Sequence, residues 1–187
     1  MHILKRLLPV FMLLTIVLCL FSYQLMSYPT QGERIAERAL EYLDVPYVLF
    51  RKDPKAFDCS GFLLYLFAEE GIDIPHSAEY IGTNDSYPLI TDIKALRTGD
   101  VVCFDTVDDR DPSDHVGIYL SNNKFVHASS NYGKVVISEI ADLYLEAFTG
   151  ARRIADTDLC FQERLDLFLA SVNSLKTVKE TIHENHH

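Results

Sequence analysis

The sequence predicts an α+β fold, helices followed by an antiparallel sheet, on three observations. Apolar residues recur at a helical period between Gln31 and Leu43, strand-like runs separated by turn signals fill 101–138, and helical spacing returns only in the last 30 residues. A chain of 187 residues suffices for one compact domain with short appendages.

Taken in order, the first element is the apolar run Leu7 to Phe21 behind Lys5-Arg6, with no acidic residue before Glu33. Fifteen helical residues reach only about 22 Å, and extension through Met26 is needed to approach a bilayer core. No A-x-A-like cut site stands out, and Leu18 before Cys19 is too large for a lipoprotein signal. Residues 1–27 therefore read as a signal peptide or a retained membrane anchor, the only membrane contact expected. Everything after residue 27 is expected outside the cytoplasmic membrane.

Ile35, Ala36, Ala39, Leu40 and Leu43 then mark an amphipathic helix that Asp44-Val45-Pro46 ends. A second helix opens at Asp58 or Cys59, buries Phe62, Leu63, Leu66 and Phe67, and stops at Gly71. A Tyr- and Pro-rich connection spans 73–90, a short amphipathic piece covers Ile93 to Leu96, and Thr98-Gly99-Asp100 signals a turn. Strands follow at 101–104, 115–120, 124–128 and 134–138, with hairpin turns at Ser121-Asn122-Asn123 and Asn131-Tyr132-Gly133. Residues 28–154 form the expected main domain and 155–187 a helical extension.

Composition excludes several classes. Seventeen Lys and Arg against 27 Asp and Glu give a net charge of −10, and no basic face is available to neutralise phosphates, so no nucleic-acid partner is expected. Ten Tyr, 11 Phe and 48% hydrophobic residues exclude a disordered acidic chain. The four cysteines, at 19, 59, 103 and 160, show no CxxC or close Cys/His spacing, which disfavours a zinc site and a disulfide-stapled scaffold. Cys103 and Cys160 read as small buried hydrophobes, with a bridge between them open in an exported domain.

The chemistry concentrates at three points. Asp58-Cys59-Ser60-Gly61 puts a cysteine in the first turn of a helix, where free N–H groups and the dipole favour a thiolate and lower its pKa. His115 opens a strand 56 residues later and is placed to deprotonate Cys59 and then protonate a leaving amine. His127 falls on the next antiparallel strand, within reach of His115 across the hairpin, as the third member of a Cys-His-His relay.

Tyr47, Phe57 to Phe62, Gly71-Ile72-Asp73-Ile74-Pro75, Leu96 to Val101, His115-Val116-Gly117-Ile118-Tyr119 and Phe125-Val126-His127-Ala128, in this order, resemble the NlpC/P60 family of bacterial cell-wall cysteine peptidases. The resemblance covers about residues 33–154. It implies a papain-like fold and cleavage of peptidoglycan stem peptides or muropeptides, typically at the γ-D-glutamyl bond to a diamino acid. Cys59 would be the nucleophile, His115 the base and His127 the third residue; Tyr47, Asp58 and Ser60 would hold the stem peptide. It implies no metal and no cofactor.

Three departures concern the cleft. Val48-Leu49-Phe50-Arg51 stand where the family usually has a Gly-Gly turn, which predicts a bulkier wall, and Glu79 replaces a polar Gln. The acidic run Asp105 to Asp114 reads as a solvated loop, with a cation-steering rim as the sharper alternative. His76 is a secondary candidate for lining the cleft, and His183, His186 and His187 read as a tail. The competing functions are a thiol amidase or acyltransferase of the same fold on another substrate, and a non-catalytic wall-binding module.

Overall fold

The computed structural model describes residues 28–107 and 113–155, with scattered positions between 12 and 23 and between 165 and 170. The chain divides into two compact units, Thr30–Thr157 and a second made of Met1–Pro29 with Asp158–His187. Most of the expected leader or anchor, the heart of the acidic loop, Cys160 and nearly all of the C-terminal extension lie outside the described residues. Among the described residues no helix is long and apolar enough to cross a membrane.

The Thr30–Thr157 unit begins with α1 (Gln31–Leu40). Thr30 caps it by accepting the Glu33 N–H while Glu33 takes the Thr30 N–H, two otherwise orphaned donors satisfied reciprocally. The helix ends three residues before the expected Leu43. Glu41 N–H turns back to the Arg38 carbonyl, and Asp44 N–H leaves the helix for the Val135 carbonyl, so a sheet contact terminates it. A short hairpin, β1 (Lys52–Asp53) and β2 (Ala56–Phe57), leads into α2 (Cys59–Glu69).

The 73–90 connection is more structured than its composition indicates. It holds α3 (Ala78–Thr83), capped by Ser77, and β3 (Leu89–Ile90). A 3₁₀ turn at Ile93–Ala95 precedes β4 (Val101–Phe104), β5 (His115–Ser121), β6 (Lys124–Ser129) and β7 (Lys134–Glu139), which match the expected runs within a residue at each end. A short α4 (Asp142–Glu146) and a closing strand β8 (Phe148–Arg152) follow.

The sheet is antiparallel and six-stranded, in the order β3-β8-β4-β5-β6-β7. The tight β5–β6 hairpin is built on Asn122 and Asn123, both with positive φ (50° and 59°), the pair of conformations that matches strand twist. β4 is a continuous apolar run because both its faces are covered. Val101 and Cys103 pack with α1 and α2, while Val102 and Phe104 pack with Phe125, Tyr144 and Phe148 on the opposite face. Cys103 is a free thiol, and burial pushes it up to about 12. Arg153 closes the unit by bonding Asp100, which is wholly buried, so the Thr98-Gly99-Asp100 signal is structural.

Candidate active site

Four local features build the site. Asp58 is the N-cap of α2: its Oδ1 accepts the Gly61 N–H at 2.7 Å, which puts Cys59 in the first turn. Gly61 is required there, because a Cβ would overlap the Arg51 carbonyl oxygen. The same carboxylate accepts the Phe50 N–H at 2.7 Å and meets His76 Nε2 at 2.8 and 2.9 Å, with the Ser60 hydroxyl at 3.4 Å. Tyr47 is held between β2 and the β6–β7 turn by its N–H to the Gly133 carbonyl.

A cleft of about 390 Å³ opens over these residues, lined by Tyr47, Leu49, Phe50, Asp58, Cys59, Ser60, His76 and Glu79. Leu49 and Phe50 are exposed on its rim, the bulky wall that the sequence predicts. Among the described residues no group of three or more His, Cys, Asp or Glu is placed to hold a metal ion.

The Cys59 sulfur lies at the seam between α2 and the start of β5. It is 3.9 Å from the Asp114 carbonyl, and the Val116 N–H on the other side of His115 helps to favour its thiolate. Side chains alternate along β5: Val116 and Ile118 face the helices, while Tyr119 belongs to the other face. His127 Nδ1 lies 2.7 Å from His115 Nε2, and His127 Nε2 lies 2.9 Å from Ser138 Oγ. His127 is wholly buried, stacked on Phe125 at 4.6 Å and met edge-on by Tyr144 at 5.5 Å.

Electrostatics depart from expectation at the sulfur. Burial, reinforced by the Asp58 charge, pushes the Cys59 thiol up to about 11, against the opposing help of the Val116, Ser60 and Cys59 backbone N–H groups. The expected lowering is overturned because desolvation outweighs the helix terminus, and the thiol turns to the Asp114 carbonyl. Burial also lowers the imidazoles, His115 to about 4 against the Asp114 charge and His127 to about 3 with help from His115, so both are neutral at pH 7. Burial raises the Tyr47 phenol, with the Cys59 and Asp58 charges adding to it.

The model of the NlpC/P60 family matches residues 44–153. The chain belongs to the NlpC/P60 family. Murein DD-endopeptidase MepS/Murein LD-carboxypeptidase of Escherichia coli K12 is 33% identical to it over 124 residues, 65% of this chain and 62% of that protein. The chain therefore spans less than two thirds of that relative's length. Among solved structures, NlpC2 from Trichomonas vaginalis aligns with a TM-score of 0.62 and 28% identity over 70% of this chain and 48% of that one. The peptidoglycan hydrolase RipB from Mycobacterium tuberculosis aligns at 0.55 and 25% identity over 67% of this chain and 65% of that one.

Within this NlpC/P60 domain, the structure brings Tyr47, Asp58, Cys59 and Ser60 to one cleft, and His115 to His127. Asp58 and Ser60 are nearly buried, and the Asp58 carboxylate is engaged by its own chain. Sequence reasoning missed Ser138 and undervalued His76, and it quoted Gly117 in a motif without giving it a role. The Ser138 contact follows from pairing His127 with Val136 across the Asn131–Gly133 turn, a register that the turn chemistry alone leaves open.

Proposed function

We propose that the chain is a cysteine peptidase that hydrolyses peptidoglycan stem peptides at the γ-D-glutamyl bond to a diamino acid. The observation that carries this reading is the sulfur at a helix start, seated against the peptide groups that flank a neutral, His-paired imidazole. His115 takes the Cys59 proton as the sulfur attacks the carbonyl carbon, then gives it to the leaving amine; water hydrolyses the thioester. The Cys59 and Ser60 N–H groups face the developing charge at the helix start. Tyr47, Asp58 and Ser60 shape the peptide's seat, Asp58 by holding its walls in place.

A second reading, DD-endopeptidase cleavage, is favoured by the similarity to the E. coli murein DD-endopeptidase. Incubating the protein with purified muropeptides and weighing the products separates the two, since each bond gives its own fragment masses. A Cys59→Ala protein that retains near-normal turnover would sink both. The 1–27 segment belongs to the proposal as an export signal or anchor that keeps the domain outside the cytoplasmic membrane. An anchored protein pellets with membranes, resists high salt and is released by detergent. A processed one is found soluble, with its N-terminus after residue 20.

A further inference from the structure

The β6–β7 register pairs Phe125 with Ser138 and His127 with Val136, so Ser138 is a diagonal neighbour of His127 on one sheet face. Its Oγ stands 2.9 Å from His127 Nε2, on a ring with no solvent exposure. A hydroxyl both donates and accepts, so this contact alone leaves the tautomer open. The proposed reaction selects one. His115 Nε2 is taken up by His127 Nδ1, so only His115 Nδ1 is left to act as the base; a neutral His115 then carries its proton on Nε2, and His127 must accept it at Nδ1 and carry its own on Nε2.

We propose that Ser138 is a positioning residue, which accepts the Nε2–H of His127 and thereby selects the tautomer that leaves His115 Nδ1 free to take the Cys59 proton. With its proton on Nε2, His127 presents a lone pair at Nδ1. His115 must then donate from Nε2, and its Nδ1 lone pair is left for the thiol. Without the Ser138 hydroxyl, a proton on His127 Nε2 is a buried donor with no acceptor, which costs more than a bare lone pair. The proton moves to Nδ1, where His115 Nε2 accepts it, and His115 is left with its own proton on Nδ1, facing the sulfur as a donor. The inference rests on the Cys59–His115–His127 reading above and adds to it the element that sets the direction of the relay.

The test reads tautomer and rate separately on the full chain. Imidazole ¹⁵N spectra of the wild type are expected to show both histidines protonated at Nε2, and Ser138→Ala to move the His127 proton to Nδ1. On muropeptides, Ser138→Ala lowers kcat by about tenfold or more with KM within about twofold, and Ser138→Thr, which keeps a hydroxyl, recovers most of the loss. Wild-type His127 protonated at Nδ1, an unchanged tautomer in Ser138→Ala, or a Ser138→Ala kcat within twofold of wild type each overturns the proposal. A wild type that cleaves no muropeptide defeats the peptidase reading instead, and the spectra still decide the tautomer.

Discussion

His115 and His127 meet edge to face, ring planes at 83° and Nε2 to Nδ1 at 2.7 Å, a geometry in which, on the proposed relay, His127 aims His115. Removal of the two should therefore have unequal consequences. His115→Ala is expected to abolish muropeptide turnover almost as completely as Cys59→Ala, while His127→Ala leaves a measurable residue, since an orienting group acts through another. Steady-state rates of the three variants check this, and a larger loss from His127→Ala would reverse the roles.

Acid should weaken the fold through this pair. Both imidazoles are lowered from 6.5 by burial, so between about 3 and 6.5 the unfolded chain binds more protons than the folded one. Stability from this source is complete above 6.5 and is lost as pH falls through that window, at up to about 1.4 kcal/mol per pH unit for His127. Urea midpoints at pH 7.5 and pH 5 should differ more in the wild type than in His127→Gln; equal differences would contradict the assignment.

Iodoacetamide should find Cys59 slow at neutral pH. A thiol pushed up to about 11 by burial carries little thiolate at pH 7, and its alkylation should keep rising beyond pH 9. Peptide mass mapping after timed alkylation reads the site directly. A plateau below pH 7 would mean that the thiol has turned from the Asp114 carbonyl to pair with His115 before substrate arrives.

Gly117 leaves the room in which the two histidines meet. A Cβ there would stand 2.7 Å from Phe125 Cδ2, 2.9 Å from the Val126 carbonyl oxygen and 3.1 Å from His127 Cβ, so part of the clash is with backbone that cannot step aside. Gly117→Ala is expected to cost about 2 kcal/mol and to reduce kcat by displacing His127. A variant with an unshifted melting curve and full activity would show that the hairpin absorbs the methyl group.

Arg153→Ala strips the countercharge from Asp100, whose side chain has no solvent exposure. The expected loss is about 3 kcal/mol, with activity per folded molecule unchanged because the pair is remote from Cys59. Adding Asp100→Ala should recover part of that stability in chemical denaturation. A double variant less stable than Arg153→Ala would place the cost elsewhere.

What the sequence made legible was local. Asp58 reads as a cap because an acceptor stands three residues before the Gly61 amide, and β5 to β7 read as strands because Asn122, Asn123 and Gly133 mark turns with left-handed backbone. What stayed hidden depends on distant partners. β3, at the sheet's edge, pairs with β8 some sixty residues away, with Leu89 opposite Arg152, and its two residues are too few to show a period. The helix terminus at Cys59 was visible along the chain; the desolvation that overrides it comes from strands packed later. Ser138 carries no mark at all until the β6–β7 register is known.

Asp58 ties together pieces that would otherwise be independent: the exposed Val48 to Phe50 loop through the Phe50 amide, α2 through Gly61, and the segment before α3 through His76. The two sides of the cleft thus share one anchor, and neither can swing outward without detaching from it. Among the described residues, access to the sulfur is then a property of a standing opening. On the proposed function, capture of a peptide should follow a single kinetic phase proportional to its concentration, with selectivity set by the outline of a mouth whose apolar lip is Leu49 and Phe50.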